Sequence, residues 1–187
     1  SGRSAFTTLE RWLGWPGGPA CDPGEVILRY LAVFGPATAA DVRAWSGLAG
    51  IPEVLEGLAP RLRTFRDEPG RELFDVPDGP LPDPDRPAPV RFLPEYDNIL
   101  LGHDDRSRIV PEGVPRWTDV GWGAVLVDGL GAARWKAEAT KTRAILRVEP
   151  FVRLRRADRE AVSAEGARLL ELVAPEAEKR EVTLAGP

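Results

Sequence analysis

The stretch Phe92–Val110, FLPEYDNILLGHDDRSRIV, holds the chain's single histidine, His103, among the acids Glu95, Asp97, Asp104 and Asp105 and the basic residues Arg106 and Arg108. Three chemistries use such residue types. A metal site is the first, but neighbouring side chains on an extended chain point to opposite sides, so His103, Asp104 and Asp105 cannot share one ion unless the backbone loops round it. With no second histidine and Cys21 as the one cysteine, a zinc shell would have to be rich in carboxylates, so a metal-dependent hydrolase built on His103 is disfavoured. Nucleophilic catalysis by Ser107 with His103 and Asp104 has the right residue types but no Gly-x-Ser-x-Gly elbow, and a triad within five residues would be strained. The third chemistry is a loop that faces an anion such as the DNA backbone. His103, Arg106 and Arg108 would donate to phosphates while Asp97, Asp104 and Asp105 hold the arginines in place. On residue types alone this stands level with an exposed, salt-bridged turn.

The elements that must position this loop come next. Residues 22–76 read as three short helices and a hairpin. DPGEVILRYLAVFG has Asp22 as N-cap, Pro23 at the first helical position and an apolar stripe of Val26, Ile27, Tyr30, Leu31 and Phe34, stopped by Gly35 and Pro36. TAADVRAWSGL pairs Thr38 and Asp41 as a capping-box variant, with Val42 and Trp45 facing inward. IPEVLEGLAPRL forms a third helix, and RLRTF and RELFDV alternate as two strands around RDEPG. That order is the order of a winged helix-turn-helix. The third helix carries Glu53 and Glu56 and no basic residue before Arg61, which argues against its insertion into a major groove. The wing is the better candidate, with Arg61, Arg63, Arg66 and Arg71 set against Asp67, Glu68 and Glu72.

Between residues 77 and 89 lie six prolines in thirteen residues, a stiff extended connector. From Val90 the pattern turns to β: VRFLPE, NILLG, GAVLVDG, LGAARWKAE and RAILRVEPF read as short strands, with Asp128-Gly129 as a tight turn. RADREAVSAEGARLLELVA follows as a helix burying Val162, Leu169, Leu170 and Val173, and REVTLAG offers one more edge strand. The predicted fold class is therefore α+β. A winged helix-turn-helix domain (1–76) and a Pro-rich linker (77–89) lead to a small antiparallel sheet or partial barrel with a terminal helix (90–187). A second basic cluster, RLRRADR from Arg153 to Arg159, sits where that helix begins, and a solvated helix start is the favoured reading of it.

Composition bounds the function. Across 187 residues, 43% hydrophobic and 29% charged is an ordinary globular balance, and no apolar run approaches a membrane span. One cysteine cannot form an internal disulfide, which suits a reducing cytoplasm. The net charge of −4 argues against indiscriminate adhesion to nucleic acid but leaves room for a local basic face. Of 25 basic residues only Lys136, Lys141 and Lys179 are lysines; the arginine excess suits phosphate recognition and equally suits a GC-rich coding bias. The chain starts at Ser1 and contains no methionine, so it is expected to be a fragment.

Taken together, RYLAVFGPATAADVRAWSGL, LRTFRDEPGRELFDVPD, FLPEYDNILLGHDDRSRIV, AVLVDGLGAARW and LRVEPFVRLRRADREAV resemble the C-terminal half of the winged helix DNA-binding domain-containing proteins. That superfamily includes the azinomycin-resistance glycosylases that unhook interstrand crosslinks. The resemblance runs from about Trp12 to Val173 and departs at LGAARW, where members usually read VAGTW. It implies tandem winged-helix units curved around duplex DNA, and glycosylase chemistry positioned by a Gln-x-Gln or Gln-x-Asp motif in the N-terminal half. This sequence has no glutamine.

The expectations are then a DNA-binding portion of a glycosylase-type protein with no catalytic residue, metal or cofactor of its own. Arg61, Arg63, Arg66, His103, Arg106 and Arg108 are expected to approach double-stranded DNA, with Asp97 and Asn98 orienting the loop. The protein is expected to be a monomer, away from membranes, in the cytoplasm at the nucleoid. The alternative is a non-enzymatic winged-helix regulator or protein-interaction module.

Overall fold

A computed structural model of the protein describes residues 6–14, 21–112, 114 and 121–186. The chain opens with a short helix α1 (Leu9–Leu13), capped by the Thr8 hydroxyl. Then come α2 (Pro23–Phe34), α3 (Ala39–Ser46) and α4 (Ile51–Gly57), and a hairpin of β1 (Arg63–Arg66) and β2 (Glu72–Asp75). Local chemistry starts the helices where the sequence indicates. The Asp22 side chain accepts from Gly24 N ahead of α2, and Thr38 with Asp41 closes a reciprocal capping box on α3. Ile27, Leu28, Tyr30 and Leu31 of α2 pack with Ala37, Val42, Ile51, Leu55 and Leu58, and Phe74 of β2 leans on this core. Each such aliphatic residue fully removed from water contributes about 1.5–3 kcal/mol. Paired backbone bonds between Ala37 and Phe74 (2.8 and 2.9 Å) tie the segment before α3 to the hairpin.

Residues 81–89 run exposed and without regular structure, as their prolines require. They lead to a second sheet of β3 (Arg91–Leu93), β4 (Gly123–Val127), β5 (Leu130–Ala139), β6 (Arg143–Pro150) and β7 (Lys179–Leu184), in that spatial order. The β4–β5 connection is the Asp128-Gly129 turn, with φ of 52° and 75°, the pair of positive values that a two-residue hairpin turn demands.

The structure corrects the expected sheet in three respects. It is mixed rather than antiparallel, because the long helix α6 (Arg156–Val173) carries the chain back so that β7 pairs parallel to β6. It is an open sheet with β3 and β7 at its edges, not a barrel. And NILLG is not a strand but a one-turn helix, α5 (Asn98–Leu101), because the Asp97 carboxylate caps it through Ile99 N. A four-residue apolar run is compatible with either element by periodicity alone.

Both faces of the sheet are covered. Val125, Leu146 and Val148 meet Val162 and Leu170 of α6, while Ala124, Leu126 and Leu93 meet Leu100 of α5 and Ile109. Val125 thus faces one core while its neighbours Ala124 and Leu126 face the other, as strand alternation dictates. Val162 and Leu170 are fully buried and Leu169 half-buried as expected, but Val173 at the end of α6 is exposed. Trp45, expected to face inward, remains 36% exposed.

Candidate nucleic-acid interface

The loop from Asp97 to Val110 does not hang from the sheet. It is laid across α2 and α3 by hydrogen bonds between residues more than sixty positions apart. Tyr30 donates its hydroxyl to Gly102 O at 2.7 Å, inside the protein. Asp41, only 2% exposed, accepts from Asp104 N (2.9 Å) and Asp105 N (3.3 Å) with one oxygen, while its other oxygen holds the Thr38 amide and hydroxyl. Burial pushes the Asp41 carboxyl up, but these hydrogen bonds from Thr38, Asp105 and Asp104 outweigh it and keep its pKa below the usual value. Burial likewise pushes the Tyr30 hydroxyl up, with the Asp41 charge adding to it, so Tyr30 stays a neutral donor.

His103 sits beside this seam. Its Nε2 lies 3.1 Å from Phe34 O, and because a carbonyl only accepts, Nε2 carries the proton. Its ring stands edge-on to Phe34, 6.4 Å between centroids, next to a Tyr30–Trp45 contact at 4.9 Å. Arg108 donates to Pro36 O at 3.0 Å. Asp105 is held from both sides, accepting from Ser107 N at 2.9 Å and pairing with Arg71 at 2.7 Å. The Ser107 hydrogen bonds, then Arg71, lower its pKa to about 2. Arg71 also grips Asp67 (2.6 Å), so one guanidinium joins the hairpin to the loop.

The arginines of the hairpin and of the turn before it have partners too. Arg61 pairs with Glu25 (2.9 Å), and Arg66 donates to Gly70 O (3.2 Å). Arg63 bonds both Asp75, which is 1% exposed, and Gly79 O, at 2.8 and 2.7 Å. Its position is that of a strut between hairpin and connector. Of the six arginine and histidine candidates, Arg61 ends a short 3-10 turn ahead of β1, Arg63 and Arg66 lie on β1, and His103, Arg106 and Arg108 lie on the docked loop. Arg106 differs from the others. Its guanidinium has no hydrogen-bond or ion-pair partner among the described residues, and it lines a cleft of about 790 Å³. The cleft lies between α3 and the loop, with Trp45 on one wall and Asn98, His103 and Ser107 along the other. A cleft whose lining includes a partly exposed indole, an unpaired guanidinium and an amide offers a stacking surface, an anion donor and a base-edge hydrogen bonder. Asp97 caps α5 and thereby fixes where Asn98 begins. Among the described residues no cluster of three or more His, Cys, Asp or Glu could hold a metal ion.

Residue types did not reveal Asp41, Tyr30 or Phe34 as parts of this site. Each is also a good local helix residue, so its long-range bond left no mark in the pattern.

Among the described residues the chain is a mixed α+β fold with six α-helices, a two-stranded hairpin and an open five-stranded sheet, and aromatic and basic side chains line the cleft between α3 and the loop. The fold is similar to that of the Streptomyces sahachiroi DNA glycosylase AlkZ, with a TM-score of 0.56 at 20% identity, over 87% of this chain and 45% of that one. The chain thus spans less than half the length of that structure. No curated protein sequence matches it. The family model described as DNA glycosylase AlkZ-like matches residues 1–172, and the chain belongs to that family. Among the described residues no helix is long and apolar enough to cross a membrane.

Proposed function

We propose that this chain is the DNA-holding portion of a winged-helix DNA glycosylase that acts on alkylated or crosslinked bases at the nucleoid. α2–α4 and the β1–β2 hairpin are its winged helix, and the Asp97–Val110 loop is its contact with the duplex. The observation that carries this reading is the family match over residues 1–172. It is supported by Arg106, unpaired among the described residues, in the lining of the cleft that also holds Trp45. Base release requires the family's Gln-x-Gln chemistry, and no glutamine is present here, so the work of this chain is binding. Arg106 approaches the backbone, with Arg108 and His103 braced beside it and Arg61, Arg63 and Arg66 along the hairpin. The residues need no metal or cofactor for that, and a single copy suffices.

Duplex binding followed by fluorescence anisotropy against salt tests the proposal. Arg106→Ala should lower the slope of log K against log salt by about 0.9, the value for one lost phosphate contact. An unchanged slope would show that this cleft does not face the backbone. A second reading, a regulatory or protein-binding winged helix, draws on the exposed Glu53 and Glu56 of α4, which oppose major-groove entry. Selective capture of one palindromic duplex, with no preference for alkylated DNA, would favour that reading.

A further inference from the structure

The basic cluster at the start of α6 is not a neutral, self-paired helix start. Arg155 pairs with Asp158 (2.7 Å) and Arg156 with Glu160 (2.9 Å), which cancels four charges in two pairs. Arg153 and Arg159 are left over. Neither guanidinium has a hydrogen-bond or ion-pair partner among the described residues, and both residues line one cleft of about 480 Å³ with Leu154, Arg156 and Glu160. Two uncompensated guanidinium groups on one concave surface are costly in isolation, through mutual repulsion, and favourable once an anion sits between them.

Topology places this cleft near Arg106. β5 begins at Leu130, β6 runs antiparallel to it and ends at Pro150, and α6 starts six residues later. Gly131 N donates to Ile109 O (2.7 Å), and Phe151 N donates to Ala132 O (2.9 Å). Two consecutive residues of β5 therefore bind the end of the Arg106 loop and the segment leading to Arg153. These backbones lie within two strand spacings, roughly 10 Å. The opposite end of the sheet differs: there Arg143 pairs with Glu181 and Arg147 with Glu138. Acids also sit at the basic end, Asp128 near Arg155 and Asp104 on the loop, but no ion pair binds either to Arg153 or Arg159.

We propose that Arg153 and Arg159 form a second phosphate grip that continues the Arg106 contact, so that one strand of a duplex crosses this end of the sheet. The ligand is the DNA sugar–phosphate backbone, read without regard to sequence. The inference rests on the DNA-holding reading above.

The test uses the whole chain and a labelled 30-base-pair duplex of mixed sequence, with anisotropy measured across a salt series. Arg153→Ala with Arg159→Ala should lower the slope of log K against log salt by about 1.8, from two lost contacts. Arg153→Glu with Arg159→Glu should weaken binding further. Lys141→Ala with Lys179→Ala, at the other end of the sheet, should leave the slope unchanged. Circular dichroism and the thermal midpoint confirm folding, since neither guanidinium has a bonding partner among the described residues. Wild-type binding that the double alanine variant does not alter overturns the second grip and leaves the DNA reading intact. An equal loss in the lysine variant overturns it as well, by showing a diffuse response to net charge. A wild-type chain that binds no duplex overturns both.

Discussion

Replacing Asp41 with alanine should detach the 97–110 loop from the helical unit without touching the loop itself. The carboxylate accepts four hydrogen bonds. Two from Thr38 cap α3, and two from the amides of Asp104 and Asp105 anchor the loop. Loss of the cap costs about 1 kcal/mol. Bonds to a charged acceptor are worth about 1.5–3 kcal/mol each when buried, and the partly wet Asp104 amide and the longer Asp105 contact reduce that pair to about 2 kcal/mol together. The expected loss is therefore about 3 kcal/mol, or about 6–12 °C in the thermal midpoint for a chain of this length. Urea unfolding followed by tryptophan fluorescence measures the total. Amide hydrogen exchange at Asp104 and Asp105 measures the local part, and protection there should fall before that of the α2 core. Asp41→Asn keeps the shape and one acceptor oxygen, so it should fall between alanine and wild type.

The pH dependence follows from the direction of the shift. The folded carboxyl has a lowered pKa, so its contribution is complete above the ordinary carboxylate range and is lost as pH falls through the folded value. The gap between wild type and Asp41→Ala should accordingly stay constant from neutral pH to about 5 and narrow below about 4. A gap that does not change between pH 7 and 3, or unaltered exchange at Asp104 and Asp105, would refute the anchoring role.

Two further perturbations probe the packing that presents the site. Arg63→Ala strands the buried Asp75 without its counter-ion, at a cost of about 3 kcal/mol given that Arg63 itself is partly wet. Arg63→Lys should recover most of this in urea unfolding, and a loss under 1 kcal/mol for the alanine variant would mean that water replaces the pair. Gly166→Ala sets two effects against each other. Alanine favours the helix by about 1 kcal/mol, but its Cβ would meet Leu146 Cδ2 at 2.7 Å and Val182 Cγ1 at 3.2 Å in the α6–sheet core. Overpacking of this kind costs about 1–3 kcal/mol. A net destabilisation of about 1 kcal/mol is expected, and a gain in stability would show that Leu146 can move aside.

How the site is assembled explains what was legible in the linear chain. Residues within three or four positions of one another declared themselves: Asp22 and Thr38 with Asp41 as caps, the alternation of Thr64–Arg66 and Leu73–Asp75 as a hairpin, and Asp128-Gly129 as a turn. These depend on backbone geometry and on bonds that close locally, so composition and spacing suffice. The lack of any glutamine was likewise plain. Other features depended on partners distant in sequence. Asp41 reads as a capping residue whether or not Asp104 is near, and Arg63 reads as a free wing arginine until Asp75 and Gly79 enclose it. NILLG became a helix, and the tail became a parallel edge, because Leu100 had a second sheet face to cover and α6 had to recross the first. Sequence determined where most elements lie and which residues carry charge. Tertiary structure decided which arginines are consumed inside the fold and which, such as Arg106, Arg153 and Arg159, keep a guanidinium without a partner among the described residues. Charge is a property of the residue, but its availability depends on what the folded chain places within about 4 Å of it.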